Sequence, residues 1–349
     1  MKQENQFKGK KILVTGGVGS IGSAIVEELL KFEPHVVRVL DLSELKESEM
    51  QEQFSEYSNV RFLLGDVRDK DRLYRAMEEI DIVFHTASYK HVLSCEYNPF
   101  EAVKTNVMGT QNLIDVAISQ EIEKFIFTSS DKAVNPSNVM GATKLLAEKL
   151  VTSANYHKGH RRTIFSSVRF GNVLASSGSV INLFMKQIRE RKTLTITSPT
   201  MTRFIMSLHQ AVNLLLTTEE MAQGGEIFIF KMPSIRISDL AQAMIDELAP
   251  TYGWKNREYP TRTIGKKPGE KPYEELLTEN ESDHSLETNE MFIVLPEIEP
   301  SVNVDLYKNA RPAAHMGYTS NDSKLLTLRE IKQILLECGV LDRTVRRIE

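Results

Sequence analysis

The sequence predicts an α/β fold, a doubly wound parallel sheet with a smaller C-terminal substrate-binding lobe. Three observations carry this. Short β-branched runs alternate with amphipathic stretches through the first 230 residues. The runs are continuously apolar instead of alternating, as strands buried on both faces are. The first run enters a glycine-rich turn that opens an amphipathic stretch.

KILVT at Lys11 to Thr15 is the first predicted strand. After Ser20, the residues Ile21, Ile25 and Leu29 recur at four-residue steps, a helix that Pro34 closes. Val36 to Asp41, Val60 to Asp66, Ile80 to Ala87 and Lys124 to Ser130 give four more strands, and a longer helix beginning near Pro99 carries Val103, Val107, Leu113 and Val116. Beyond Gly171 the pattern loosens. A helix from about Ser179 to Arg191 precedes a Thr/Pro-rich loop, TITSPTMTRF, then a short strand, EIFIFK, and a helix near Ser238 to Leu248. Residues 250–325 hold seven of the twelve prolines and read as loop-rich surface, not further sheet; a last helix is expected near Leu326 to Leu336.

At 349 residues, and roughly 150 per domain, about two domains are expected. A hydrophobic fraction of 41% with 26% charged residues excludes disordered and collagen-like chains. Lys+Arg (43) nearly balance Asp+Glu (47), so no broad basic face for nucleic acid is expected. No apolar run approaches the ~20 residues of a membrane span, and no apolar leader follows MKQENQFKGKK, so a cytoplasmic protein with no membrane partner is expected. Cys95 and Cys338 lie far apart without CxxC or His-rich companions, and no metal site is expected.

The first strand runs into TGGVGSIG, which places Gly16, Gly19 and Gly22 in a GxxGxxG arrangement. Glycines there permit a tight turn and let backbone N–H groups approach a pyrophosphate at the helix N-terminus. Asp41 ends the second strand 19 residues beyond Gly22, the place of a carboxylate that binds the adenosine ribose. This is the signature of a Rossmann-type dinucleotide site. Asp41 would repel a 2′-phosphate, and Leu42, Ser43 and Glu44 supply no cationic clamp, although Arg38 and Lys46 are near; NAD is favoured over NADP. Asp66 either meets the adenine edge or caps the helix starting at Lys70. Residues 1–172, with 204–235 returning to them, are the expected NAD-binding domain, and 173–203 with 236–349 the smaller substrate-binding lobe and C-terminal extension.

The fifth strand ends in TSSDKAVNP, and Lys144 follows Ser130 by fourteen residues in MGATK. In a doubly wound sheet the carboxyl ends of the strands open into the ligand crevice, so Ser129, Ser130, Asp131 and Lys132 line it. An adjacent Asp and Lys offer a proton donor and a base whose pKa values influence one another. Lys144 follows Met140 by one helical turn on the same face.

These segments, with GDVRD, HTASYKHVLSCEYNPFEAVKTNVMGT, RFGNVLASSGSVI, MTRF and KPGEKPYEELL, resemble the extended short-chain dehydrogenase/reductases. Within that superfamily the chain is similar to the nucleotide-sugar 4,6-dehydratases of polysaccharide biosynthesis, of UDP-N-acetylglucosamine type. Most of the superfamily begins its YxxxK motif with a Tyr that takes the sugar 4-OH proton; Met140 stands there, and a thioether has no proton to exchange. A subset of these dehydratases resembles this chain in that replacement. The resemblance implies oxidation at C4, removal of the C5 proton by Lys132, protonation of the departing 6-hydroxyl by Asp131, and return of hydride to C6. Ser130 would bind the 4-oxygen and Lys144 the nicotinamide ribose, with Met140 packed nearby; Asp131 or a water relay would take the 4-OH proton. It also places Ser20, Ile21, Val67, Ala87, Tyr89 and Asn106 against the cofactor. Substrate contacts implied are Lys90, Glu96, Asn172, Ser179, Val180, Thr195, Met201, Arg203 for the diphosphate, Lys267 where the family often has Arg, and Glu270 for the nucleoside ribose. The expected partner is a UDP- or GDP-linked sugar, in a homodimer or larger assembly. The chain also resembles the catalytic part of longer relatives that carry an N-terminal membrane region. A 4-epimerase and a non-catalytic NAD-binding sensor are the competing readings; Asp131–Lys132 argues against the first, since epimerisation needs neither C5 deprotonation nor loss of the 6-hydroxyl, and the joint presence of Asp131, Lys132, Lys144 and Arg203 against the second.

Overall fold

A computed structural model describes residues 6–174, 176, 178–254, 259–298 and 302–341. Its strands in chain order are β1 (Lys11–Thr15), β2 (Val36–Asp41), β3 (Val60–Leu64), β4 (Ile82–His85), β5 (Lys124–Thr128), β6 (Ile164–Arg169), β7 (Asn172–Val173), β8 (Leu194–Ile196), β9 (Thr202–Met206), β10 (Ile227–Phe230), β11 (Ser234–Arg236), β12 (Thr261–Thr263), β13 (Glu275–Leu277), β14 (Ser285–Glu287), β15 (Met291–Val294), β16 (Arg311–Pro312) and β17 (Tyr318–Thr319). The helices are α1 (Ser20–Leu30), α2 (Glu44–Gln53), α3 (Lys70–Met77), α4 (Val92–Tyr97), α5 (Pro99–Ala102), α6 (Gly109–Ser119), α7 (Val139–His157), α8 (Val180–Arg189), α9 (Leu208–Met221), α10 (Ile237–Leu248), α11 (Glu279–Ser282) and α12 (Leu328–Glu337).

The central sheet has ten strands in the order β16-β14-β15-β10-β6-β5-β4-β1-β2-β3. From β10 to β3 every neighbour pairs in parallel. This is a Rossmann-type sheet, and its order reverses between β1 and β4, where a crevice opens at the strands' carboxyl ends. Strand residues alternate between two cores. Ile12, Val14 and Ile126 face α1 and α9 with Ile25, Leu29 and Leu215, while Leu13, Phe125 and Phe127 face α6 and α7 with Leu113, Val116 and Val151. A third core joins α8, α10 and α12 through Phe184, Ile188, Met244 and Leu335.

Four expectations are corrected. Residues 250–325 contribute β14, β15 and β16, which run antiparallel and extend the central sheet beyond β10, so the sheet crosses the boundary expected at residue 236. Met291–Val294 is short but continuously apolar, and burial on both faces makes it a strand despite its proline-rich surroundings. TITSPTMTRF is not a plain loop: it holds β8 and β9, the latter in a small sheet with β7 and β11. The helix from Pro99 is interrupted by a π-helical segment, Val103–Met108. Finally, Asp69 caps α3 by accepting from the Arg72 N–H, and Asp66 does not. The Asp66 carboxylate instead accepts from the Arg68 N–H (2.9 Å) and its guanidinium (2.6 Å).

Candidate active site

The turn between β1 and α1 is shaped for close backbone approach. Gly16 has φ +67°, and a Cβ there would lie 2.7 Å from the Ala87 main chain. Such a turn directs N–H groups from the start of α1 into the crevice. Asp41, at the end of β2, accepts from the N–H groups of Val18 (3.3 Å) and Ser43 (3.1 Å), which joins the end of β2 to the glycine turn. A dinucleotide therefore fits the residues present. Gly19, Ser20, Ile21 and Gly22 follow in the turn and first helical residues, with Ile21 packed on the core, and Val67 is buried after β3.

Below this cradle, the buried His85 lies between the hydroxyls of Thr15 (2.8 Å) and Thr110 (3.0 Å). Burial, with the Lys144 charge adding, pushes its pKa down to about 3, so the ring is neutral. Asn106 sits in the π-helical segment. Its amide accepts from the Tyr89 N–H (2.7 Å) and donates to the Tyr89 carbonyl (3.0 Å) and the Thr143 hydroxyl (2.9 Å). Its amide thus fixes the loop of Ala87, Tyr89 and Lys90; Tyr89 and Lys90 are exposed.

The turn that carries Ser130, Asp131 and Lys132 follows β5 and is held to β6 by Ser129 N–H to Val168 O (2.7 Å) and Asp131 N–H to Phe170 O (3.1 Å). Ser130 donates to Asp131 Oδ1 (2.8 Å), and so does Lys132 Nζ (2.9 Å). Asp131 is fully buried, which excludes a solvated surface pair. Burial works against the Lys132 charge, but Asp131 and Glu274 outweigh it and hold the amine above the ordinary lysine value.

Helix α7 brings Met140 and Lys144 to this turn. Asn138 accepts from the Gly141 N–H (2.8 Å), and Glu96 from the Val139 N–H (2.6 Å), so Glu96 anchors a helix start. Met140 packs with Cys95 and Ala102. Lys144 Nζ donates to Thr128 O (2.8 Å) and lies 4.7 Å over the Phe127 ring. Burial lowers its pKa to about 8, with Glu148 opposing.

A strap from Lys267 to Leu277 closes on the turn. The Gly269 carbonyl accepts from Ser137 Oγ and Asn138 Nδ2 (both 3.0 Å), and Lys271 Nζ donates to Val134 O (2.7 Å). Arg203 of β9 donates to Thr202 O (2.6 Å) and Lys271 O (3.0 Å), and its Nε lies 3.5 Å from Glu274. Arg203 is thereby brought to the Asp131–Lys132 pair. Lys267 and Glu270 close their own turn, N–H to Oε2 at 3.0 Å, at the strap's start.

Other expected substrate residues lie elsewhere in the lobe. Thr195 bonds Gln187 through both main chain and hydroxyl (3.1 and 2.8 Å), tying β8 to α8. Met201 is buried in the third core. Asn172 is exposed on β7, and Ser179 and Val180 begin α8.

Two groups escaped sequence reasoning. Glu274 is buried beside Lys132, and Arg169 is fully buried between Glu148 and Glu281 with four contacts of 2.7–2.9 Å. Neither has a local spacing signal, since each is defined by partners distant in the chain. Among the described residues no helix is long and apolar enough to cross a membrane, and no cluster of three or more His, Cys, Asp or Glu could hold a metal.

Residues 12–296 match the family model described as polysaccharide biosynthesis protein. A Methanocaldococcus jannaschii protein called an uncharacterized membrane protein is 55% identical over 97% of this chain and 98% of its own. A Campylobacter jejuni UDP-N-acetylglucosamine 4,6-dehydratase (inverting) is 43% identical over 84% of each chain. The structure of Pen from Bacillus thuringiensis superposes with a TM-score of 0.90 at 45% identity, covering 96% of this chain and 99% of that one.

Proposed function

The chain belongs to the polysaccharide biosynthesis protein family, within the extended short-chain dehydrogenase/reductases, and on that premise we propose that it is an NAD-dependent nucleotide-sugar 4,6-dehydratase acting on UDP-N-acetylglucosamine or its GDP analogue. The observation that carries this reading is the ion pair at the carboxyl end of β5 between the buried Asp131 and the part-buried Lys132. A 43% identical relative named for that dehydration supports it.

Gly16, Gly19 and Gly22 would hold the pyrophosphate and Asp41 the adenosine ribose. When bound, the nicotinamide supplies reversible two-electron oxidation of C4, and the resulting ketone acidifies the C5 proton. Met140 exchanges no proton, so Asp131 takes the one leaving the 4-hydroxyl. In the fraction of enzyme whose Lys132 is the free amine, Lys132 takes the C5 proton, Asp131 passes its own to the departing 6-hydroxyl, and water leaves. Lys132 then returns a proton to C5. Both side chains end as they began, so the proton count closes. Ser130 would orient the 4-oxygen, Lys144 would bind the nicotinamide ribose, and Arg203 would take the diphosphate.

Rickettsia relatives named UDP-glucose 4-epimerase are 37% identical over 97% of this chain, which keeps epimerisation as the second reading. Incubation with UDP-N-acetylglucosamine, and in parallel the GDP sugar, separates the two. Loss of one water is expected; an isobaric product would replace the dehydratase reading with the epimerase one, and no change with either sugar would reject both substrates.

A further inference from the structure

Glu274 stands 142 residues beyond Lys132 in the chain, and its main chain is anchored independently of its carboxylate. Its N–H donates to Ser320 Oγ (3.0 Å), and its carbonyl accepts from the Ser320 N–H (2.8 Å). The carboxylate itself is buried. Oε1 lies 3.9 Å from Lys132 Nζ and 3.5 Å from Arg203 Nε, while Oε2 receives no hydrogen bond from the described residues. An incompletely bonded carboxylate is costly to bury, and the backbone anchors would persist without it.

The proposed proton sequence gives that charge a use. While Asp131 carries the 4-hydroxyl proton it is neutral. Any ammonium that Lys132 forms on taking the C5 proton then lacks its nearest counter-charge, with the Arg203 cation close by. Glu274 is a second carboxylate that takes no part in that transfer.

We propose that Glu274 is a positioning residue of this centre, acting through Lys132 as the standing counter-charge of its ammonium form. The inference rests on the reading of Lys132 as the C5 base. The charged groups facing Lys132 are Asp131, Glu274 and Arg203; those facing Glu274 are Lys132, Asp131, Arg203 and Lys271. Burial raises the Glu274 pKa, with Lys132 opposing and Asp131 adding. The amine thus faces two carboxylates, and removing one must weaken its hold on the proton.

Competitive labelling of the holoenzyme with acetic anhydride across about pH 6 to 11, read by mass spectrometry of the Lys132 peptide, tests this without substrate. Glu274→Gln, nearly isosteric, should lower the Lys132 midpoint by about one pH unit or more, which is about tenfold more free amine below it. Glu274→Asp, which keeps the charge, should lie closer to wild type. An unmoved midpoint in Glu274→Gln overturns the proposal. With UDP-N-acetylglucosamine the acid limb of the kcat/KM profile should move to lower pH in the same variant. Loss of rate by an equal factor at every pH, with the limb in place, is the mark of a structural role and overturns it too. If the labelling midpoint moves while wild type dehydrates no sugar nucleotide, the Glu274–Lys132 pairing stands and the dehydratase reading falls.

Discussion

Lys144 is buried and Lys132 part-buried, yet their surroundings push them in opposite directions. Lys132 has two carboxylates within 4 Å and holds its proton tightly; Lys144 has an aromatic face and one carbonyl, and burial brings its pKa to about 8. Lys132→Ala should lower dehydration by about 10²–10⁴-fold, the usual contribution of a positioned acid or base, while NAD binding followed by fluorescence titration stays intact; wild-type turnover would refute its role. Lys144 gives a prediction for stability. Below about pH 8 the lysine is charged in both folded and unfolded chains and adds no slope. Between about 8 and its unfolded value of 10.5 the unfolded chain keeps a proton that the folded one has lost, so stability rises with pH across this window. Lys144→Met should remove that rise in urea midpoints. Asp131, Lys132 and Lys144 are legible in the sequence because neighbouring residues on one turn and one helix bring them together. Glu274 is not, since it meets Lys132 only after the strap closes. For Asn106 and Thr195 the resemblance implies ligand contacts, and the hydrogen bonds by which they also hold a loop and a strand come from partners that no local spacing reveals.

The parallel strands β1 to β5 are readable because burial on both faces demands continuous apolarity. The antiparallel β14 and β16 are three and two residues long, too short for any period to show, and the π-helical segment leaves the apolar spacing of its helix nearly unchanged. The Arg169 cluster illustrates a link between elements. Its guanidinium in β6 meets Glu148 of α7 one turn beyond Lys144, meets Glu281 of α11, and donates to Leu276 O (3.1 Å) in β13, just past Glu274. The cluster therefore locks the strap's end to the helix that carries Lys144. Arg169→Met leaves the buried Glu148 and the part-buried Glu281 without their cation and should cost about 3–5 kcal/mol of stability, measured by urea unfolding. Glu148→Gln added to it should recover part of that loss, because one uncompensated charge is then gone.

Over the whole molecule, the sheet's middle strands are covered on both faces, while the lobe adds a separate core. Hydrogen exchange followed by mass spectrometry should find the amides of β4, β5 and β6 slowest, opening only with global unfolding, and those of the strap and β16 faster. Uniform protection across all of them would contradict this ordering. The sheet's two margins also bear on how copies of the chain meet. At one end β16 is an exposed pair, Arg311–Pro312, whose proline offers no N–H to an incoming strand and whose arginine repels stacking. At the other, β3 presents the exposed Arg61, which donates to the carbonyls of Ser58 (2.5 Å) and Val60 (2.9 Å) and so occupies acceptors a foreign strand would need. A ten-stranded ribbon open at both sides is an invitation to fibre growth, and here each side is blunted. Replacing Arg311 and Pro312 together by threonine and valine should leave the fold standing yet make light scattering rise with concentration and time.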